Sequence, residues 1–466
     1  MALTPAASAD CAARHVPVAT AAKLDPARAY NITELIDLAE QNNPRTRIAW
    51  ERARQRANEL GVAKSAYFPL LVFQVIGGDQ KTISPFPVAL EARGYNSVTI
   101  PIIQPQLSLQ YLLFDFGKRG ARVDAALAEK IAAGANFVQA NQDVAFQVAT
   151  GYYKLLTAQE RLAATRETLK TAQTTQDAAE TQLANGRSTL PDVYNAKAET
   201  AQAVFDMESA DGDEKISRVN LAEVVGAEPS PDLQIDAMVN APLPDSLTAS
   251  VDALIERAVA NRPDLAAQAA EIRAADDRIK LAKAEYLPQI AIKASGAQTM
   301  IWPSPDAGLL GNANEPTWTA YLGLEWKVFD GGARRNELAA AQSRRREALD
   351  ELTEKHDKAT REVWSAYIAF RTALKKEQAS VSLLAAANES YNASLEAYQY
   401  GVKNLIDVVT AEKQLAQARL SSVSARSQLF LEAVDLEFVT GNLLRSLPKA
   451  TKVQAPAVPP TGGATP

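Results

Sequence analysis

The chain has 466 residues and a formal net charge of −6 at pH 7, a mildly acidic balance that argues against nucleic acid as a partner. Hydrophobic residues make up 47% of the sequence but aromatic residues only 6%, so the apolar surface comes mostly from alanine and leucine, which favours close packing of helices. Two histidines and one cysteine leave almost nothing for a metal site or a thiol centre, and no run of about 18 apolar residues predicts a transmembrane helix.

Residues 1–30 are rich in alanine, proline and small polar residues, which predicts an extended N-terminal arm. They lack the basic start and apolar core of a signal peptide, so either the protein stays in the cytoplasm or the chain is a processed form with a new initiator methionine. Cys11 would suit lipidation if a small residue preceded it. Asp10 stands there instead, which favours an unmodified thiol.

The first half of the chain predicts a helix, a β-hairpin and a pair of long helices. The helix starts near Asn31 or Thr33, is interrupted at Asn42-Asn43-Pro44 and ends before Pro69. Gly186 separates the two long helices, because glycine is the usual residue after a helix C-terminus. The predicted bounds are 31–226 for this repeat, about 70–116 for its hairpin and 117–226 for its helix pair.

The same pattern returns in the second half of the chain. Its predicted parts are a proline-rich inter-repeat linker at 227–250, a second repeat at 251–447 with a hairpin over about 289–330 and a helix pair over 332–447, and a disordered tail at 448–466. Matching landmarks are offset by 219 residues from Pro44 to Pro263 and by 215 residues from Gly186 to Gly401. An offset that stays constant on either side of the hairpin predicts a duplicated unit.

The helix that follows the second hairpin is the longest feature of the sequence. From Gly332 to Gln399 it has 68 residues without proline, which at about 1.5 Å per residue predicts a rod of roughly 100 Å. An ordinary globular helix has about 11–12 residues. The predicted fold is therefore mainly α with one β-hairpin per repeat, in a coiled coil, a membrane assembly or a helical array.

The second strand of each hairpin alternates apolar and polar residues. The apolar set is Leu107, Leu109, Tyr111 and Leu113 in the first hairpin and Leu322, Leu324, Trp326 and Val328 in the second. Such alternation fits either an antiparallel sheet half-covered by helices or a membrane barrel in which these side chains face lipid. Four strands cannot close a barrel, and a sheet edge cannot face lipid unpaired, so a barrel would need strands from several chains. Three chains would supply twelve.

Four short motifs occur once in each half of the chain. They are an Asn-x-Pro helix break, a Tyr-x-Pro before each hairpin, a Phe-Asp-x-Gly before each long helix, and a Gly-x-x-x-Leu-x-Asp-Val turn at Gly186 to Val193 and Gly401 to Val408. Each motif alone is weak. Their order and fixed offset resemble those of the TolC-like outer-membrane efflux protein family, over nearly the whole chain from about residue 30 to 447.

The resemblance implies a homotrimer with a twelve-stranded barrel in the outer membrane and a twelve-helix tunnel in the periplasm. Such proteins are exit ducts that dock onto an inner-membrane pump, of the RND or ABC type, through a periplasmic adaptor protein. They pass drugs, metal ions or secreted proteins out of the cell. No cofactor and no enzymatic activity are expected, since the sequence contains no nucleophile–base pair, phosphate loop or metal cluster.

The resemblance also implies a gate at the helix turns, where an acidic ring and an aromatic–basic network close the tunnel. The acidic positions fall on Asp192 and Asp407, the basic position on Lys403 and the tyrosine on Tyr398. A further acidic position of the family falls on Thr410, which departs from the family pattern. The basic residue is often arginine, and Lys403 cannot make the same planar, bidentate contacts.

Helix capping explains the same turns without a gate. Gly186 and Gly401 stand where a helix C-terminus favours a left-handed residue, and Thr189 and Asn404 are good N-cap residues. The two aspartates lie three residues after these caps, in the capping-box position. The sequence is compatible with both interpretations.

Two other functions fit parts of the sequence. A soluble periplasmic coiled-coil scaffold or adaptor could use the hairpins only to cap its helices. A binding module could recognise a ligand with the hairpin loops at 81–98 and 303–316, but it would not require so long a helix. An outer-membrane channel accounts for both the long helices and the alternating strands, and it is the predicted function.

Overall fold

The structure is a computed structural model that describes residues 23–85, 87, 94–236, 250–302 and 312–443. Several predicted segments lie wholly or partly outside the described residues: most of the N-terminal arm with Cys11, residues 237–249 of the linker, the middle of both hairpin loops and the C-terminal tail.

Each half of the chain folds as helix, hairpin, long helix and returning helix, which confirms the predicted duplicated architecture. The first half contains β1 (Ala29–Tyr30), α1 (Ile32–Asn42), α2 (Pro44–Ser65), β2 (Leu70–Pro85), β3 (Tyr95–Phe114), α3 (Lys118–Ala184) and α4 (Leu190–Val225). The second half contains β4 (Gln234–Ile235), α5 (Val251–Asn261), α6 (Pro263–Ala284), β5 (Gln289–Ile301), β6 (Ala313–Glu325), α7 (Ala333–Gln399) and α8 (Leu405–Val439).

The two long helices, α3 and α7, have 67 residues each. They begin one residue after Gly117 and Gly332, the predicted starts. The last helix, α8, ends at Val439, and residues 444–447 of the predicted helix pair lie outside the described residues. Gly441 follows with a φ of 69°, and a residue in this left-handed conformation ends a helix.

The chain divides into two compact units, and each unit draws residues from both repeats. The first comprises Met1–Glu51, Ala135–Ala266 and Glu354–Pro466, and it holds the turns that join the long helices to the returning helices. The second comprises Arg52–Gly134 and Ala267–Thr353, and it holds the hairpins.

The first unit contains a small parallel sheet that the sequence did not predict. β1 pairs with β4, with Ala29 opposite Gln234 and Tyr30 opposite Ile235. Both strands have only two residues, too few to show alternation. The Tyr152 hydroxyl donates a hydrogen bond of 2.5 Å to the carbonyl oxygen of the residue after β4, and Tyr152 is fully buried in the same core. The sheet therefore joins the predicted arm to the predicted linker.

Two glycines that follow the returning helices pack against the Asn-x-Pro helix breaks of the first unit. Gly226 and Gly441 have φ values of 78° and 69°. A Cβ added at Gly226 would stand 3.0 Å from the backbone of Asn42, and one at Gly441 would stand 3.0 Å from the backbone of Asn261. Each Asn-x-Pro break thus packs backbone to backbone against the glycine of its own repeat, which requires the absence of a side chain.

The second unit contains a four-stranded antiparallel sheet in the order β2-β3-β5-β6. β3 and β5 are the inner strands, so the two hairpins of the duplicated units lie side by side. β2 and β6 are the edges, and within the described chain each pairs on one side only.

One face of this sheet is apolar and exposed. Three cross-strand rows build it: Phe73, Leu107, Gly296 and Trp318; Leu71, Leu109, Ala294 and Ala320; and Tyr111, Ile292 and Leu322. Phe73, Trp318 and Leu322 are 68%, 79% and 65% exposed. The rows of the opposite face include Ser108 with Ser295 and Thr319, and Gln110 with Lys293 and Tyr321. A sheet half-covered by helices would require a helix over this apolar face. No helix in the described part of the chain covers it.

A β-bulge lies at Leu113, one of the residues predicted to face lipid. Leu112 interrupts the alternation of β3, and the pairing with β5 shifts between Leu112 and Phe114. Phe114 therefore stands opposite Ile290, and Leu113 has no partner on β5. The extra residue in the bulge moves Phe114 into the row that continues the apolar face.

The alternating strand of the second hairpin is shorter than predicted. β6 ends at Glu325, so Trp326 and Val328 lie beyond the sheet, although Leu322 and Leu324 lie within it. Glu325 pairs with Gln289, and the residue before Gln289 is Pro288, which has no N–H to extend the ladder. The Trp326 indole instead donates a hydrogen bond of 3.1 Å to the carbonyl oxygen of Tyr286.

An arginine connects the motifs at each junction of hairpin and long helix. Arg119 pairs with Asp115 at 3.0 Å and donates to the carbonyl oxygen of Leu112 at 2.7 Å. Its guanidinium lies over the ring of Tyr67, 5.0 Å from the centroid. The second repeat has the same arrangement, in which Arg334 pairs with Asp330 at 2.6 Å and lies 5.1 Å from the ring centroid of Tyr286.

Candidate functional site: the paired helix turns

The two turns that follow the long helices have the same C-terminal geometry. Gly186 and Gly401 adopt φ values of 70° and 77°. The N–H of Arg187 reaches the carbonyl of Gln182, and the N–H of Gly186 reaches that of Leu183. This pair of hydrogen bonds is a Schellman motif, and it returns at Gly401. Open space surrounds the Cβ position at both glycines, so the backbone conformation alone requires glycine.

The N-caps of the returning helices differ from each other. At the first turn, the Thr189 N–H and hydroxyl both donate to the Asp192 carboxylate, at 3.0 and 2.6 Å. These hydrogen bonds lower the pKa of Asp192. At the second turn, the Asn404 side chain accepts from the N–H of Asp407 at 2.9 Å. The Asp407 carboxylate is exposed and has no hydrogen-bond partner among the described residues, so only Asp192 is held by its cap.

A serine connects the two turns. The Tyr398 hydroxyl donates to Ser188 Oγ at 3.3 Å, and Ser188 Oγ donates to Asp192 Oδ2 at 3.2 Å. Beside this chain of hydrogen bonds, the Gln182 amide donates to the carbonyl oxygen of Gln399 at 2.8 Å. Tyr398 is 5% exposed, so its hydroxyl joins two turns that are already packed together.

Lys403 does not reach either aspartate within the chain. Its Nζ donates to Ser394 Oγ of α7 at 3.2 Å, nine residues earlier in the chain. Of the four predicted gate residues, the structure joins Tyr398 to Asp192 through Ser188. Lys403 and Asp407 lie on the same turn without a contact to each other in the described structure.

Apolar packing holds the four helices together at the turns. The cluster takes residues from every helix that enters them: Ala179 of α3, Val193 and Ala196 of α4, Tyr391 and Tyr398 of α7, and Leu405, Val408 and Leu415 of α8. The leucine and valine of each Gly-x-x-x-Leu-x-Asp-Val turn have different places. Leu405, Val408 and Val193 are buried, whereas Leu190 is 55% exposed.

Sequence reasoning missed two polar residues of this region. Ser188 directly precedes a recognisable N-cap, but nothing in the sequence indicates that a tyrosine from the other turn would contact it. Glu412 lies in α8 and is 6% exposed. Its spacing places it on the same helix face as Val408 and Leu415, but an acidic residue at such a position does not by itself predict burial. Burial against α3 and α7 is visible only in the folded chain.

Neither a membrane-spanning helix nor a metal-binding cluster is found in the described ranges. No helix there is long and apolar enough to cross a membrane. No group of three or more histidine, cysteine, aspartate or glutamate side chains there could hold a metal ion.

Comparison with known proteins connects this fold to one family. The family described as outer membrane efflux protein matches residues 35–227 and 254–442, which together cover both repeats. Protein CyaE of Bordetella pertussis is 26% identical over 419 residues, which are 89% of this chain and 85% of that protein. The outer membrane efflux protein BepC of Brucella suis is 24% identical over 413 residues, 88% of this chain and 85% of the relative.

A solved structure has the same fold. The outer membrane protein VceC of Vibrio cholerae superposes with a TM-score of 0.71 at 22% sequence identity, covering 88% of this chain and 96% of that one. The similarity therefore extends over nearly the full length of both proteins.

Proposed function

Because the chain belongs to the outer membrane efflux protein family, we propose that it forms the exit duct of a tripartite efflux or type I secretion system, located in the outer membrane and extending into the periplasm. The four-stranded sheet is the observation that carries the proposal. Its apolar face is exposed, and its edge strands β2 and β6 lack a second partner within the described chain. A closed barrel in lipid covers such a face and pairs both edges.

The duct is a homotrimer. Three copies of the four strands make a barrel of twelve, in which β2 of one copy pairs with β6 of the next. Two copies would supply eight strands, and a barrel of about eight strands has an interior filled by its own side chains. An open passage therefore favours three copies over two.

The long helices form the periplasmic part of the duct. The pairs α3 with α4 and α7 with α8 line a tunnel whose turns meet a periplasmic adaptor protein, and the adaptor connects the duct to an inner-membrane pump of the RND or ABC type. The duct itself is passive and not an enzyme. Its partners select the cargo, whether drugs, metal ions or secreted protein, so the gene beside this one would identify the cargo class.

The paired turns are the periplasmic gate. Three copies bring Asp407 and Asp192 into a ring of six carboxylates around a narrow passage. Converging carboxylates attract cations and repel each other. The hydrogen bonds from Thr189 lower the pKa of Asp192 and keep it ionised, and Asp407 is exposed without a hydrogen-bond partner in the described structure, so both carboxylates contribute to the field in the passage. Lys403 and Tyr398 hold the second turn in place.

Conductance across planar bilayers tests the gate. The wild-type channel is expected to be cation-selective and to be blocked by a multivalent cation added from the side of the turns. Asp407→Asn should weaken this block by about tenfold or more, which corresponds to about 1.4 kcal/mol, and the double variant with Asp192→Asn should weaken it further. Glu396→Gln removes an exposed carboxylate on α7 and serves as the control. Unchanged block in the double variant would refute the gate.

A soluble periplasmic scaffold is the alternative function. A scaffold would have to hide the apolar face of its sheet, and that face is exposed in the described structure. Recovery of the protein in the outer-membrane fraction, with migration in gels that changes on heating, is expected for the duct. A trimer that stays soluble without detergent would support the scaffold.

A further inference from the structure

A carboxyl group is buried among the helices next to the turns. Glu412 lies on α8, five residues after Asp407, and is 6% exposed. The core residues Val408, Ala411 and Leu415 surround it along the same helix. Its Oε2 atom is buried and has no hydrogen-bond partner among the described residues. An ionised carboxylate rarely occupies such a position, because both of its oxygens need donors.

The groups around Glu412 come from two other helices and are mostly neutral. Thr175 of α3 is close enough to lower the pKa of Glu412. The Thr175 hydroxyl donates to the carbonyl oxygen of Thr171 at 3.2 Å and lies 3.2 Å from the hydroxyl of Tyr391 on α7. The Tyr391 hydroxyl also donates to the carbonyl oxygen of Thr171 at 3.4 Å. Glu412 therefore lies where α3, α7 and α8 meet.

The charged groups near Glu412 are engaged elsewhere. Lys413 pairs with Glu199 of α4 at 2.8 Å, and Arg419 donates to Thr171 Oγ1 at 3.0 Å. Glu167 of α3 acts on Arg419 rather than on Glu412. The described structure contains no ion pair to the Glu412 carboxyl, so Lys413 and Arg419 compensate a charge on it only from a distance.

These surroundings favour the protonated acid. Burial raises the pKa of Glu412, and the carboxylate of Glu199 raises it further. Thr175 and the cations Lys413 and Arg419 oppose this shift, but burial is the largest influence. Ionisation would leave a desolvated charge between the helices, and hydration of that charge requires α8 to move away from α3 and α7.

We propose that Glu412 is a proton-binding site that controls how tightly α8 packs against α3 and α7 beside the helix turns. The packed arrangement binds the proton more strongly than a loosened one in which water reaches the carboxyl. Packing is therefore fully stable below the ordinary pKa of a glutamate, about 4.3, and is weakened as the pH rises from there to the raised pKa of the packed state. Within this window the loosened population grows by about tenfold per pH unit.

Hydrogen exchange of the assembled protein in detergent tests the site. Amides of α8 between Leu405 and Ala418, corrected for intrinsic exchange, are expected to lose protection by up to about tenfold per pH unit as the pH rises above about 5. Glu412→Gln keeps the shape of the side chain without a titrating proton, so its protection should stay constant. Glu396→Gln, the exposed control on α7, should behave like the wild type.

Two results would overturn the proposal: parallel loss of protection in wild type and Glu412→Gln, or constant protection in the wild type. If Glu412→Gln does not assemble, Glu199→Gln decides, because removal of that carboxylate should move the upper end of the window to lower pH. An unmoved window would contradict the site.

The effect on the channel rests on the proposed function, whereas proton binding does not. Conductance measured over the same pH range should rise with pH in the wild type and stay flat in Glu412→Gln. If neither protein conducts at any pH, the proposed duct fails, and the exchange result still decides the proton site.

Discussion

Single residues in this chain have roles that their neighbours in sequence do not reveal. Asp192 and Asp407 occupy equivalent places in the two turns, yet only the Asp192 carboxylate accepts hydrogen bonds from its cap. Asn404 caps its helix through its own side chain, so Asp407 is not needed there. The duplicated turn has therefore kept one aspartate for helix capping and left the other exposed.

This difference predicts unequal costs for two matched variants. Asp192→Asn should destabilise the N-terminus of α4 by about 1 kcal/mol, the usual contribution of a cap. Asp407→Asn should change the stability of the N-terminus of α8 by less than about 0.5 kcal/mol. The folded state lowers the pKa of Asp192, so its contribution is present above the ordinary pKa and is lost as the pH falls through the lowered value.

Hydrogen exchange of the first amides of α4 and α8, followed toward acid pH, measures both effects. Equal loss of protection in the two variants would show that Asp192 does not act through its cap.

The arginines at the hairpin junctions show how separate motifs form one structure. Arg119 contacts the aspartate of the Phe-Asp-x-Gly motif, the tyrosine of the Tyr-x-Pro motif and the carbonyl of Leu112 at the bulge. Arg334 repeats the contacts to the aspartate and the tyrosine. The sequence showed the two motifs but not why they recur together. The arginine that contacts both of them in the folded chain supplies the reason.

At the scale of elements, the glycines fall into two physical classes. Gly186 and Gly401 are required for backbone conformation only, since a Cβ would meet open space. Gly226 and Gly441 need the same left-handed conformation, and a Cβ there would also stand 3.0 Å from a neighbouring backbone. Substitution should therefore be more costly at the second pair.

Gly226→Ala and Gly186→Ala test this distinction. The free energy of unfolding of the Gly186 variant should fall by about 1–2 kcal/mol, the cost of placing a residue with a side chain in the left-handed region. The free energy of unfolding of the Gly226 variant should fall by the same amount plus about 1–3 kcal/mol, because the added methyl group overpacks the contact with Asn42.

The free energy of thermal or denaturant unfolding, measured on both variants in the same detergent, gives the comparison. A Gly226 variant no less stable than the Gly186 variant would contradict the close backbone contact.

At the scale of the whole molecule, the exposed apolar face is the surface that the proposed barrel would turn toward lipid. Leu109 and Gln110 are neighbours on the inner strand β3, and their pairing places them on opposite faces of the sheet. An arginine on the lipid face of a membrane barrel costs about 2–4 kcal/mol at the bilayer midplane, whereas a lumenal position tolerates charge.

Leu109→Arg should therefore reduce the trimer recovered from outer membranes and lower its unfolding temperature, while Gln110→Arg should assemble normally. Gels of outer-membrane fractions run with and without heating measure both variants. A normal amount of heat-modifiable trimer from Leu109→Arg would contradict a lipid-facing position.

The sequence by itself determined the architecture, because its signals are local or repeated. Prolines and glycines mark the ends of helices, alternation marks the strands, and the fixed offset from Pro44 to Pro263 reveals the duplication. The lengths of α3 and α7 followed from the absence of proline between the glycines that bound them.

Only the tertiary structure decided what depends on distant segments meeting. Two of these features join residues far apart in the chain: the β1–β4 pair and the contact of Tyr398 with Ser188. Two others depend on the pairing of strands: the bulge at Leu112 and the end of β6 next to Pro288. Burial of Glu412 belongs to the same class. A carboxyl group becomes buried only when other helices exclude water from it, and no local pattern along α8 encodes those helices.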